Sequence, residues 1–203
     1  MTLRFKGNIG TKGTLKGKII PTIIPTKFRY DAPSDLDNYV GVAPTYSDPA
    51  PAVHEARDDN GTDAWYIDGK TVNNGTTQAN YIYNHISNGA SGTDPITCEA
   101  RIRNPFNSRY EIKQNGRAMG IHFGLTHIED TWQGGNVAPM PADAATEYHT
   151  YKMVQDPGNS SANVYIDDVL VGTAGSFGVA GSTTTLSAMN NSEPFISHWS
   201  IDF

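Results

Sequence analysis

The sequence predicts an all-β chain folded as an antiparallel β-sandwich. Three observations carry this. Apolar and polar residues alternate with a period of two in several short windows, clusters of Gly, Asn and Pro separate those windows, and no window sustains the 3.6-residue period of a helix.

Taken in order, short aromatic-rich runs place strands at Trp65–Asp68 and Tyr81–Ile86. Ile96–Arg103 sets Ile96, Cys98, Ala100 and Ile102 on one face and Thr97, Glu99, Arg101 and Arg103 on the other, the pattern of a strand with one buried and one solvated side. Ala118–Thr126 groups Ile121, Phe123 and Leu125 against Gly120, His122 and Gly124. Glu147–Gln155 sets His149, Tyr151 and Met153 against Tyr148, Thr150, Lys152 and Val154, both faces partly apolar, as in a central strand. Ala162–Ile166 and Val169–Thr173 flank Asp167–Asp168 and read as a hairpin with a tight turn. Thr183–Ala188 and Phe195–Phe203 complete the set. The core is expected to draw on Ile96, Cys98, Ala100, Ile102, Phe123, Tyr151, Met153, Val164 and Ile166.

Charge divides the chain unevenly. The first thirty residues hold seven of the 15 basic residues and no acid, so all 21 acids fall in the remainder. Arg4, Lys6, Lys12, Lys16, Lys18, Lys27 and Arg29 stand among glycines and prolines that oppose a helix, which predicts an extended basic arm over 1–30. Within it Ile19, Ile20, Ile23 and Ile24 form an apolar cluster broken by Pro21 and Pro25, suited either to docking on another surface in extended form or to lying along a sheet edge. Residues 31–63, rich in Pro, Asp and Ala, read as a linker or surface loop, and the sandwich is expected over 64–203. The lone cysteine, Cys98, has no intrachain disulfide partner and is expected as a buried thiol. Met1 leads into charged sequence without an apolar signal segment, and no run approaches the roughly 18 apolar residues of a membrane span, so no membrane association is expected.

The run Tyr148–His149–Thr150–Tyr151–Lys152–Met153–Val154, then Asn163–Val164–Tyr165–Ile166–Asp167–Asp168–Val169–Leu170–Val171–Gly172–Thr173, resembles the concanavalin A-like lectin/glucanase jelly-roll superfamily, which includes laminin G-like modules. That superfamily often carries a Trp-His-Thr-Tyr-Arg-like strand before a Val-Tyr-Val-Asp-Gly hairpin. Ser197–Phe203 is similar to its final strand. The resemblance covers roughly 64–203 and implies a jelly-roll sandwich. Tyr148 stands where Trp is usual, and Asp168 where the turn glycine is usual.

Glycoside hydrolases of this fold carry Glu-x-Asp-x-x-Glu on one strand, since two carboxylates about 5–5.5 Å apart serve as nucleophile and acid. The chain lacks that spacing. Its adjacent acids, Glu129–Asp130 and Asp167–Asp168, should point to opposite faces. The six histidines (His54, His85, His122, His127, His149 and His198) show neither the i, i+2 pairing of a strand metal site nor a His-Glu-x-x-His helix. Asp58–Asp63 misses the EF-hand spacing and reads as a solvated turn. No catalytic residue, metal or cofactor is expected, and the chain is read as a non-enzyme. Trp132, in the loop-like Asp130–Asn136, is the candidate glycan or partner contact. The acidic body argues against nucleic acid.

A basic arm on such a jelly-roll resembles a bacteriophage virion protein. The resemblance implies a capsid decoration (cement) protein, made in the host cytoplasm and present in many copies on a symmetric particle. Its arm would bind the major capsid protein or another virion protein, and multiplicity would offset modest affinity per site. The alternative expectation is a carbohydrate-binding tail fibre or receptor-binding module that recognises a host surface glycan.

Overall fold

In chain order the strands are β1 (Thr26–Asp31), β2 (Thr45–Ser47), β3 (His54–Asp59), β4 (Thr62–Ile67), β5 (Asn80–His85), β6 (Ile96–Arg103), β7 (Ser108–Gln114), β8 (Arg117–Phe123), β9 (His127–Asp130), β10 (Asn136–Pro139), β11 (His149–Gln155), β12 (Ser161–Ile166), β13 (Val169–Gly175), β14 (Phe177–Gly178), β15 (Thr183–Ala188) and β16 (Phe195–Asp202). This is a computed structural model, and it describes residues 26–32, 45–47, 54–67, 80–85, 95–114, 117–156, 159–175, 177–178, 183–188 and 192–202. No helix occurs among them.

The strands form two antiparallel sheets. The first runs β13-β12-β11-β6-β16-β4-β3, with β1 also paired to β16; the second runs β10-β9-β8-β7-β15-β5-β2, with β14 on β8. This is the jelly-roll sandwich that the sequence pattern predicts. The core lies between the sheets. Cys98, Ala100, Ile102, Tyr151, Met153, Val164, Trp199 and Ile201 come from the first, and Tyr110, Ile112, Met119, Ile121, Phe123 and Ile128 from the second. Phe123 and Tyr151 meet edge to face across the interior, centroids 4.7 Å apart. Burial alternates along all of β6, as the period-two pattern requires.

Hairpin turns follow local chemistry. Asp167 and Asp168 adopt φ of 48° and 64°, and Asn60 and Gly61 adopt 55° and 85°, the two successive positive values of a type I′ turn. The Asp167–Asp168 turn was expected. The Asn60–Gly61 turn joins β3 to β4, where the sequence reading has only a polar loop.

Three expectations shift. Strand β8 ends at Phe123, and Leu125 sits in the following turn, 70% exposed, so the Ile121–Phe123–Leu125 face stops one residue pair early. Ile166 is only partly buried, against the core rather than within it. Strands β1, β2 and β3 all precede Ala64, so sheet pairing reaches back at least to Thr26, within the residues read as an extended arm. Their periodicity is weak because β3 is an edge strand and β2 has three residues.

Strand β16 organises the first sheet. Along one side it pairs with β6 throughout. Along the other it pairs with β4 at Phe195–Ile196 and then with β1 from His198 to Asp202. The exchange of partners falls at Ser197–His198, where the β6 register also shifts.

Candidate functional site

An open groove of about 580 Å³ lies over that exchange point. Ser197 and His198 of β16 border it, with Glu99 and Arg101 of β6, Thr150 of β11, Asp63 of β4 and the Asn60–Gly61 turn beside them. Thr150, Arg101 and His198 are cross-strand partners and so share the solvent face of the sheet.

Each charged group in the groove has a distinct setting. Glu99 faces two nitrogens: Lys152 Nζ stands 3.9 Å from Oε2 and His198 Nε2 stands 3.6 Å from Oε1. The same His198 nitrogen is 3.1 Å from Ser200 Oγ. Glu99 and Ser200 thus meet the same ring nitrogen, and Ser200 is buried. Arg101 donates from Nη1 to Ser197 Oγ at 3.1 Å and lies over the Tyr148 ring at 4.8 Å. Asp63 is exposed at the mouth of the groove.

Beside the groove, Asp59 is gripped by Arg103 and by the Tyr148 hydroxyl, which donates to Oδ2 at 2.7 Å. Burial alone would raise the Asp59 carboxyl, but the hydrogen bonds from Arg103 and Tyr148 and the guanidinium charge hold it below the ordinary carboxylate range. Burial and this carboxylate push the Tyr148 phenol up, so it remains a donor.

A smaller pocket of about 320 Å³ lies elsewhere, bordered by Asp130, Gln133, Asn136, Ser160, Ser161 and Thr173. Asp130 builds it. Its Oδ1 accepts from the backbone of Trp132 and Gln133 at 2.8 and 3.0 Å, and Oδ2 accepts from Gly175 at 2.5 Å. The expected contact residue Trp132 is half-buried in this turn, next to the pocket wall rather than on it.

Of the expected arm, Arg4, Lys6, Lys12, Lys16, Lys18, Ile19, Ile20, Ile23 and Ile24 lie outside the described residues, and Lys27 and Arg29 occupy β1. The two acidic pairs do diverge. Glu129 meets His122 at 3.1 Å while Asp130 turns into the pocket. Asp167 meets His149 and the Thr150 amide, while Asp168 meets Lys152. The groove residues Asp63, Glu99, Arg101 and His198 were not foreseen as a group. They sit far apart in sequence, and each reads as the polar half of a strand.

No family model matches the chain, and no curated protein matches it. Solved structures do. The chain is similar to a sialidase (TM-score 0.56, 7% identity, 87% of this chain and 18% of that one). It is similar to a Bacillus licheniformis β-glucanase (TM-score 0.50, 12% identity, 79% and 98%). It is also similar to a Bacillus subtilis protein of unknown function with a galectin-like fold (TM-score 0.51, 8% identity, 87% and 95%). The chain thus spans under a fifth of the sialidase's length. At these identities the likeness establishes the glucanase- and galectin-like jelly-roll fold.

It also corrects one expectation. The missing strand motif implies a non-enzyme, yet a β-glucanase has this fold over 98% of its own length. The physical reason is visible in the groove. Asp63 and Glu99 border the same cleft from different strands, so spacing along one strand cannot exclude a carboxylate pair.

Proposed function

We propose that the chain is a glycan-recognising jelly-roll module and that the groove over β16 is its binding site. One observation carries this reading. The groove gathers Thr62, Asp63, Glu99, Arg101, Thr150, Ser197 and His198, a dense set of donors and acceptors in an open trough. A polyhydroxylated ligand satisfies such a set, and an apolar one does not. The fold shared with a sialidase, a β-glucanase and a galectin-like protein supports it. The capsid-decoration reading and a phage origin draw no support from those likenesses, and most of the arm on which they rest lies outside the described residues.

A glycan array probed with the intact chain tests the proposal. Binding to at least one glycan class is expected. Asp63→Ala, an exposed change that leaves the fold intact, should weaken it by about tenfold, the loss of a charged hydrogen bond. An empty array, or an Asp63→Ala chain that binds at full strength, overturns it.

A second reading, cleavage of the bound glycan, is favoured by the two carboxylates in one groove. Release of reducing ends that Glu99→Gln abolishes is the expected sign; release that persists in both Glu99→Gln and Asp63→Asn contradicts it.

A further inference from the structure

Among the cations on the solvent face of the first sheet, Arg101 stands apart. Arg103 is committed to Asp59. Lys152 is committed to Asp168 and lies near Glu99. His198 is shared between Glu99 and Ser200. Arg101 has no carboxylate within ion-pair distance among the described residues, although its charge reaches Asp167 and helps lower that carboxyl, and the Ser197 hydroxyl accepts from it at 3.1 Å. Its guanidinium borders the groove half-buried and lies over the Tyr148 ring, Cζ 4.8 Å from the ring centroid.

A half-buried guanidinium with most of its five donors unused is a site for a planar anion. Glu99 lies near Lys152, with the His198 ring beside it. Asp63 also has no cationic partner among the described residues. As an acceptor-only group it suits hydroxyls and repels an acid placed next to it.

We propose that the groove selects saccharides bearing a carboxylate, a uronic acid residue, with Arg101 taking the carboxylate in a two-pronged contact and Asp63 taking neighbouring hydroxyls. This rests on the glycan-binding reading above and names its ligand class. The guanidinium fork takes two oxygens of a carboxylate or of a tetrahedral sulfate, so the sulfated probe below separates the two acidic sugars.

The test uses the intact chain in titration calorimetry against matched pairs: oligogalacturonate, oligoglucuronate and oligomannuronate, each with its methyl ester, plus a dextran sulfate oligosaccharide and neutral dextran. At least one acid should bind about tenfold or more tighter than its ester. Arg101→Gln should erase that gap, acid and ester then binding alike within about twofold, and Arg101→Lys should keep only part of it, since an ammonium lacks the fork. Circular dichroism confirms that both variants fold. Equal binding of acid and ester, a gap that survives Arg101→Gln, or preference for the sulfate overturns the inference and leaves glycan recognition standing. If none of these probes nor any glycan on the array binds, both readings fall.

Discussion

Arg103 holds Asp59 with both prongs of its guanidinium, Nε to Oδ2 at 2.5 Å and Nη2 to Oδ1 at 2.7 Å. The pair joins β6 to β3, with β16 and β4 between them in the sheet. Both side chains are largely buried, at 16% and 7% exposure. The guanidinium also covers Phe195 at 4.2 Å, so the contact closes the sheet over the end of β16.

Breaking this pair should be costly. Arg103→Met leaves Asp59 charged and half-satisfied, with an expected loss of about 3–5 kcal/mol in chemical denaturation. Tyr148→Phe removes one hydrogen bond to the same carboxylate and should cost about 1.5 kcal/mol. If Tyr148→Phe costs as much as Arg103→Met, the ion pair is not the dominant element.

The same pair sets an acid limit. The Asp59 carboxyl is lowered on folding, so its contribution is fully present above the unfolded value of about 3.9 and is lost as pH falls through the folded one. Asp59→Asn should therefore flatten the decline in stability below about pH 4. An unchanged acid limb in that variant contradicts the assignment.

His149 carries the opposite sign. It sits between two carboxylates, Nδ1 2.6 Å from Asp167 Oδ2 and Nε2 2.9 Å from Asp143 Oδ1. Burial would lower its pKa, but the hydrogen bonds to Asp167 and Asp143 outweigh that and raise it. Its contribution is then present below the unfolded value of about 6.5 and lost as pH rises through the folded one. Thermal unfolding between pH 5 and pH 9 should show that loss, and His149→Gln should remove it. Both partners are exposed, so the effect should be modest.

Two glycines on β13 separate a backbone constraint from a side-chain one. A Cβ at Gly172 would lie 2.5 Å from the Val137 carbonyl oxygen, which β10 fixes. At Gly175 it would meet the Gln133 amide, the end of a flexible side chain. Gly172→Ala should cost about 1–3 kcal/mol. Gly175→Ala should cost less and instead move Gln133 out of the smaller pocket, visible in a crystal structure of the variant. The reverse order of stabilities would contradict the packing described.

The fold was legible where one strand face meets the core and the other meets water. Ile96–Arg103 announces β6 because every second residue is buried, and Asp167–Asp168 announces its hairpin because both residues tolerate positive φ. Strand β7 carried the same signal, with Tyr110 and Ile112 buried between Arg109, Glu111 and Lys113, and it was missed. Strand β3 gave little signal. His54–Asp59 is polar at nearly every position, and only the Asn60–Gly61 turn after it marks a hairpin. The groove was illegible for a different reason. Glu99 and Arg101 look like the solvated half of one strand and His198 like that of another. Only the pairing of β16 with β6, β4 and β1 brings them beside Asp63.

The most direct test of the groove is an amide NMR titration of the isotopically labelled chain with the tightest glycan found on the array. Shift changes are expected to centre on Asp63, Glu99, Arg101, Thr150 and His198, and in Asp63→Ala to need about tenfold more glycan to reach the same extent. Changes confined to Gln133–Asn136 and Ser160–Ser161 would place the glycan in the smaller pocket and contradict the groove as the site.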